Sequence, residues 1–331
     1  MFKVDGKLHT REDVSGTVCM THGNIRPGRL EEFHNIINNT SKPYLLIGNG
    51  FEPTDRRSIY KVYDYAVKTN KFKKIAAFTC NLESNWKLKH FFDPMCLTPI
   101  EYGLRILSEE RYKKTKLFHF INRTPRIHRT KAFLEVRNRG LESRGFVSYV
   151  GGYDHSGENI PVKEFIPDFP IVLDTDQVTE HYLFGGREFT NNPVYKIIQH
   201  ATIGLIGETN FHPNWHPKHW EDFFISEKTF SCFSMMQIPI ILGNPGTVRW
   251  LKNHGFYMFD SLIDNSYDLE TDPNKRIKMA VDQLEKLKHY DPQKLFNEYK
   301  VKLEFNKAKL EELYRYFNRT KDLDFVKWLK E

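Results

Sequence analysis

Short apolar runs alternate with amphipathic segments over the first third of the chain. The runs at 18–21, 44–47 and 75–78 each end at small or polar residues, as buried strands of a parallel sheet do. The segments at 29–37 and 58–67 follow two of these runs and space their apolar residues as helices do. This alternation predicts a parallel sheet with helices packed on its faces.

The same alternation resumes after a polar break at residues 113–116. Apolar runs at 117–121, 203–206 and 238–242 predict further buried strands, and a helix is expected over 131–138. Towards its end the chain becomes amphipathic and rich in lysine, which predicts C-terminal helices. We therefore expect an α/β fold with two Rossmann-like domains, at 1–112 and 113–285, followed by C-terminal helices at 286–331.

Polar residues stand where two predicted strands and one predicted helix meet. Glu208 follows the run at 203–206, and Ser226 is a suitable N-cap for a helix with Glu227 and Lys228 in its first turn. Open α/β sheets bind ligands at the carboxyl ends of their strands. A helix N-terminus beside a lysine attracts phosphate, and a glutamate there can accept hydrogen bonds from sugar hydroxyls.

A basic segment lies at the next predicted junction of a strand and a helix. Asn122 ends the strand, and three arginines and a histidine then fall within the seven residues 123–129. Guanidinium groups bind phosphate bidentately, so the segment predicts an oxyanion site, although a solvated basic turn would have the same composition. Arg126 is the stronger candidate for binding an oxyanion, because Arg129 could instead point outward from the first helical turn.

The order of these residues resembles the donor-binding half of the alpha-1,3-fucosyltransferase family, whose members are GT-B glycosyltransferases. That half carries a Ser-Asn-Cys-x-Ala-Arg-x-x-Arg element, a Phe-Glu-Asn motif and a Thr-Glu-Lys motif. The matching positions here, in the order of those motifs, are Asn122, Arg126, Arg129, Glu208, Glu227 and Lys228.

Several positions depart from the family pattern. Arg123 and Pro125 stand where the family has Cys and Ala, Thr209 replaces the Asn after the Glu, and Thr229 replaces the Leu after the Lys. The resemblance therefore does not imply fucose. The run GFYMFDSLIDNSYD at 255–268 resembles, more closely, glycosyltransferase-like proteins encoded by tailed bacteriophages.

The resemblance implies a GT-B enzyme with two Rossmann-like domains that face each other across a cleft. The second domain would bind a nucleotide-diphosphate sugar, and the first would bind the acceptor. The departing diphosphate needs cations, which Arg126, Arg129 and Lys228 would supply. With these cations in place no metal ion and no separate cofactor is required.

Transfer also needs a base for the acceptor hydroxyl. The base is expected in the first domain, at the carboxyl ends of its strands. The candidates are His22, Glu52 and Glu83, and the family's use of a carboxylate favours the two glutamates.

Three other motifs admit different chemistry. Asp174 and Asp176 follow an apolar run, as the divalent-metal site of GT-A glycosyltransferases does, but they come after the arginine segment. The Gly-Asn-Gly at 48–50 lacks the remaining residues of a phosphate-binding loop. Four histidines fall near Glu208 in the sequence, namely His200, His212, His216 and His219. A zinc site is disfavoured because prolines interrupt the helical spacing of the last three.

The composition of the chain indicates the cellular compartment of the protein. The 331 residues include no apolar run near the ~20 residues of a membrane span, and the first residues do not resemble a signal peptide. The four cysteines show no metal spacing and fit free thiols in a reducing cytoplasm. A soluble, cytoplasmic protein, inside the host cell if it is phage-encoded, is expected.

Lys and Arg total 49 against 42 for Asp and Glu, which gives a net charge of +7 and attraction to polyanions. With the phage resemblance, this charge favours double-stranded DNA as acceptor, through a hydroxymethylated base that the enzyme would flip out of the stack. Two alternatives stay open. In the first, the acceptor is a surface glycan or lipopolysaccharide. In the second, the chain is a nucleic-acid-binding protein with an inactive GT-B fold.

Overall fold

The protein has a mixed α/β fold with parallel sheets, as the alternating pattern predicts. The fold is taken from a computed structural model. It describes residues 2–4, 7–9, 17–20, 30–47, 56–79, 87–92, 112–122, 126–149, 162–168, 170–171, 197–211 and 224–330.

The chain divides into two compact units. Unit 1 comprises the described residues within Met1–Thr98, Pro213–Ser226 and Glu312–Glu331. Unit 2 comprises those within Pro99–His212 and Glu227–Glu311.

Unit 1 contains a four-stranded parallel sheet and two helices. Leu45 and Ile47 of this sheet are fully buried and pack with Phe33 and Ile59 of the helices. An antiparallel strand pair, β1 and β2, precedes the sheet. The sheet order is β3-β4-β5-β6, and the elements are β1 (Phe2–Val4), β2 (Lys7–His9), β3 (Thr17–Met20), α1 (Leu30–Asn39), β4 (Tyr44–Ile47), α2 (Arg56–Thr69), β5 (Lys74–Thr79) and β6 (Lys89–Phe92).

Unit 2 contains the second parallel sheet, whose order is β10-β9-β7-β8. Every residue of β9 and β10 is buried, which is the pattern of parallel strands covered on both faces. Its strands are β7 (Lys116–Asn122), β8 (Gly145–Tyr149), β9 (Ala201–Gly207) and β10 (Ile238–Leu242).

The remaining helices belong to unit 2, except that residues 312–330 of the last helix are grouped with unit 1. The remaining helical elements are α3 (Ile127–Asn138), a 3₁₀ helix (Glu142–Arg144), α4 (Val162–Phe165), α5 (Glu227–Ser234), α6 (Thr247–Asn253), a 3₁₀ helix (Asn265–Leu269), α7 (Pro273–Lys286) and α8 (Pro292–Lys330). None of the described helices combines the length and the apolar composition that a membrane span requires.

The strands at 44–47 and 238–242 have the predicted bounds, and α5 begins at Glu227 as the capping pattern predicts. The predicted start of α3 is wrong. That helix begins at Ile127 rather than near 131, so part of the basic segment is helical.

Candidate functional site

The ends of β7, β9 and β10 meet along one edge of the unit 2 sheet, because these strands are parallel neighbours. We call this edge, formed by Asn122, Gly207, Glu208 and residues 242–244, the carboxyl edge. Helices α3 and α5 begin beside it.

Arg129 is the central cation of the carboxyl edge. It is only 4% exposed, and its Nε and Nη2 atoms donate to the carbonyl oxygens of Gly207 and Glu208 at 3.1 Å each. Burial lowers the pKa of Arg129 to about 10, and the charge of Arg126 adds to this effect. The guanidinium therefore stays protonated at neutral pH while its orientation is fixed by the end of β9.

Gly207 allows this approach. A Cβ atom at this position would lie 3.0 Å from Cγ of Arg129 and 3.0 Å from Oδ1 of Asn122. Such a separation is tighter than side chains normally accept, so a larger residue would displace either neighbour. The lack of a side chain at Gly207 thus lets the end of β7 and the first turn of α3 pack closely against the end of β9.

His128 adds a third hydrogen bond to the backbone carbonyls at the end of β9. Its Nε2 lies 2.9 Å from the carbonyl oxygen of Glu208, and its ring stacks on Phe211 with a centroid separation of 4.8 Å. Burial and the charges of Arg129 and Arg126 hold the pKa of His128 well below its ordinary value. The ring is therefore neutral at pH 7 and donates from Nε2 to the carbonyl.

Glu208 is fully buried and joins β9 to α5. Its Oε1 accepts a hydrogen bond from the Thr229 hydroxyl at 2.6 Å, and its Oε2 accepts from the Thr209 backbone N–H at 3.3 Å. The Thr229 contact explains why a hydroxyl is useful at this position, where the resembled family has leucine.

Glu227 and Lys228 open α5 and form an ion pair of 2.9 Å. Their side chains are 31% and 32% exposed, so the pair lies at the surface of the site. Burial opposes the charge of Glu227, but the charge and hydrogen bond of Lys228, with a weaker contribution from Arg129, lower its pKa. Glu227 therefore carries its negative charge at neutral pH.

Arg126 is the N-cap residue of α3, with extended backbone angles φ −141° and ψ 143° and no side-chain cap bond. It is half-buried, and its charge acts on both His128 and Arg129. The described structure thus brings together the six predicted binding residues, Asn122, Arg126, Arg129, Glu208, Glu227 and Lys228.

Other predicted residues lie elsewhere or outside the described part. His22, Glu52, Glu83, Asp174 and Asp176 are outside it, as are the Gly-Asn-Gly segment and three of the four clustered histidines. The fourth, His200, precedes β9 at the opposite end of the sheet and contacts the Lys113 carbonyl at 2.8 Å. Among the residues that the structure describes, no cluster of three metal-ligating side chains is found.

The run at 255–268 packs against the edge strand β10. Tyr267 is fully buried, and its hydroxyl accepts a hydrogen bond from the Ile241 backbone N–H at 3.0 Å. Asp268 accepts from the backbone N–H groups of Val248 and Arg249 at 3.0 and 3.1 Å. These contacts give the run a structural role.

Sequence reasoning missed Thr229 and Asn244 as residues of the site. Thr229 appeared only as a departure from a motif, although it lies on the first turn of α5 beside Glu208. Asn244 follows β10 by two residues, which is the position that indicated Glu208 after β9. The location of Asn244 directly after a predicted strand could therefore have identified it as a site residue.

Comparisons with protein-family models, with curated proteins and with solved structures find no match to this chain. The resemblance to the fucosyltransferase family and to phage proteins therefore stays a hypothesis. The geometry of the carboxyl edge stands independently of it.

Proposed function

We propose that this protein is a glycosyltransferase that moves a sugar from a nucleotide-diphosphate sugar to an acceptor hydroxyl. The observation that carries the proposal is the convergence of cations and an acid at the carboxyl edge. Arg129 contacts the end of β9 at 3.1 Å, and Thr229, two residues after Glu227, contacts Glu208 at 2.6 Å. Both helix starts therefore face one strand end, where open α/β sheets bind nucleotides.

The donor's diphosphate would meet three cations there. Arg129 is held rigid by two backbone carbonyls, whereas Arg126 and Lys228 are partly exposed. Lys228 would exchange part of its contact with Glu227 for a phosphate oxygen, and Glu227 would then accept from a sugar hydroxyl. Charge-assisted hydrogen bonds of this kind stabilise the negative charge that develops as the diphosphate leaves.

The rest of the reaction belongs to the proposed GT-B arrangement, in which two Rossmann-like domains face across a cleft. The transition state resembles an oxocarbenium ion, and a base in residues 1–112 removes the proton of the acceptor hydroxyl. His22, Glu52 and Glu83 remain the candidates for that base. The cations of the carboxyl edge take the place that a metal ion has in GT-A enzymes.

We further propose double-stranded DNA with a hydroxymethylated base as the acceptor. The net charge of +7 supports a polyanionic partner. A hydroxymethyl group supplies the hydroxyl that an unmodified pyrimidine lacks, and base flipping would bring it to the base catalyst.

A panel of nucleotide sugars tested by thermal stabilisation addresses the donor. A donor present at 100 times its Kd should stabilise the protein by about 2.7 kcal/mol. Stabilisation by one nucleotide sugar supports the proposal, and no stabilisation by any of them contradicts it.

Incubation with the mixed nucleotide sugars and duplex DNA carrying 5-hydroxymethylcytosine addresses the acceptor. Mass spectrometry of the digested DNA should show a hexose-sized or pentose-sized gain on the modified nucleoside, and unmodified duplex is the control. Labelling of a lipopolysaccharide or oligosaccharide instead would identify a glycan acceptor. Binding of DNA without transfer from any donor would identify an inactive fold.

A further inference from the structure

Asparagine side chains at the carboxyl edge have unused hydrogen-bond donors. Asn122 ends β7, Asn210 lies three residues beyond β9, and Asn244 lies two residues beyond β10. In each, the Nδ2 atom is buried and donates no hydrogen bond to the part of the chain that the structure describes. Asn122 and Asn244 are only 2% and 6% exposed.

Asn122 and Asn244 lie on either side of the end of β9, and Asn210 follows that strand. Oδ1 of Asn122 lies 3.0 Å from the position that a Cβ atom would take on Gly207. On the other side of β9, a Cβ atom on Gly243, next to Asn244, would lie 3.2 Å from Cγ of Glu208. Strands are spaced ~4.8 Å apart, so the row of amides from β7 to β10 spans roughly 10 Å.

Leaving a buried N–H without an acceptor is costly, and folded proteins rarely tolerate it. Among the described residues, the buried unpaired side-chain amide N–H groups all belong to Asn122, Asn210 and Asn244. Asn306 shows the ordinary state, since its Oδ1 accepts from the Tyr257 N–H and its Nδ2 donates to the Tyr257 carbonyl, both at 2.7 Å. These three amides all end or follow strands of the unit 2 sheet at its carboxyl edge, where a bound ligand would supply the acceptors that they lack.

We propose that Asn122, Asn210 and Asn244 form a row of donors to the oxygen atoms of a nucleoside diphosphate. This inference rests on the proposed function and adds Asn210 and Asn244 to its binding residues. The neighbouring guanidinium of Arg129 favours an anionic ligand, and the width of the row favours a ligand longer than a single phosphate. Inorganic phosphate is therefore a weak ligand, and the nucleoside diphosphate a strong one.

If Asn244 binds the ligand, Asn244→Ala should weaken binding without lowering the unfolding temperature. Removing an unpaired donor relieves an unmet hydrogen bond, so the unfolding temperature of the ligand-free protein stays equal or rises. The Kd for the nucleoside diphosphate should rise by at least about tenfold, because the ligand loses a donor in a buried site. Asn244→Ser keeps one hydrogen-bond donor, so its Kd for the nucleoside diphosphate should lie between those of Asn244→Ala and the unsubstituted protein.

Asn306→Ala is the matched control, since it removes an amide whose two polar atoms are paired within the chain. It should lower the unfolding temperature and leave the Kd unchanged. The probes are ADP, CDP, GDP, UDP and dTDP, with inorganic phosphate beside them, and binding is measured by calorimetry.

The outcomes separate the two proposals. If the unsubstituted protein binds none of these nucleotides, the proposed function and this inference are both overturned. If it binds one of them, and Asn244→Ala binds it equally well or unfolds at a lower temperature, only this inference is overturned. Phosphate binding as tight as nucleotide binding would also overturn it.

Discussion

His119 is a residue whose protonation is set by its surroundings in unit 2. It is 5% exposed, and its Nε2 lies 3.0 Å from Oε1 of Gln237. Burial lowers its pKa to about 4, and the charge of Lys114 contributes, while the bond to Gln237 acts in the opposite direction. The ring is therefore neutral in the folded protein and donates to Gln237.

The free energy of unfolding should consequently decrease as the pH is lowered. Below the ordinary value of 6.5 the unfolded chain binds a proton at His119 that the folded chain does not bind until about pH 4. From pH 7.5 to pH 5 this difference should remove about 2 kcal/mol from the free energy of unfolding. In His119→Gln, urea titrations should show a decline that is smaller by this amount; an equal decline would contradict the assignment.

At the residue scale, the six residues matched to the resembled family lie together at the carboxyl edge, although Thr229 and Asn244 were missed. The spacing of the motif residues did not indicate their contacts. Arg129 binds carbonyls 78 and 79 residues further along the chain, and such a contact leaves no local pattern. The bond between Thr229 and Glu208 and the unpaired amide of Asn244 depend likewise on how strands and helices pack.

At the scale of elements, Asp268 fixes the start of α6. It is 2% exposed, and besides its two backbone hydrogen bonds it lies 3.9 Å from Nη2 of the fully buried Arg276. The guanidinium of Arg276 also lies 5.1 Å from the centre of the Phe211 ring and donates to the Phe211 carbonyl at 3.3 Å. Asp268 therefore links α6 and α7 with the chain that follows β9.

Asp268→Asn should lower the free energy of unfolding by about 3–5 kcal/mol, because it leaves the buried guanidinium of Arg276 without its carboxylate. Adding Arg276→Met should recover much of this loss. The control is Asp264→Asn, since Asp264 caps a 3₁₀ helix by accepting from the Ser266 N–H and asparagine caps equally well. Urea titrations that show the same effect for Asp268→Asn and Asp264→Asn would refute this role.

The elements themselves were predictable to different degrees. The strands β4 and β10 are continuous apolar runs, so their bounds could be read directly. The start of α3 was placed near 131, four residues late, because the basic residues before it resemble a solvated turn. The burial of His128 and Arg129 comes from contacts with the chain at and beyond the end of β9, which leave no local pattern. Strand β8 was missed, since it is short and begins with Gly145, where a Cβ atom would lie 2.5 Å from Cζ of Phe118.

At the scale of the whole molecule, the alternating pattern predicted the α/β class and the parallel sheets, and both are confirmed. The two compact units draw on separate stretches of the chain, with Glu312–Glu331 grouped with Met1–Thr98. In unit 1 the Trp328 ring lies 5.6 Å from the Phe91 ring. A contact between such distant positions could not be predicted from local periodicity.

The net charge of +7 gives a prediction about the acceptor at the same scale. If duplex DNA binds, each phosphate that is neutralised should contribute about 0.9 to the slope of log affinity against log salt concentration. Binding measured between 50 and 200 mM salt should therefore weaken steeply, and duplexes with and without hydroxymethylcytosine should share the slope. A flat salt dependence would exclude DNA and favour a glycan.

Calorimetry of nucleoside diphosphate binding to the Lys228→Ala variant tests the central claim, that the carboxyl edge holds the donor's diphosphate. The affinity should fall by about 1.5–3 kcal/mol, the size of a charge-assisted hydrogen bond, while a nucleoside without phosphates should bind unchanged. Lys275→Ala is the control, because Lys275 pairs with Glu270 at 2.6 Å much as Lys228 pairs with Glu227 at 2.9 Å. Equal nucleoside diphosphate affinities for Lys228→Ala, Lys275→Ala and the unsubstituted protein would contradict the account.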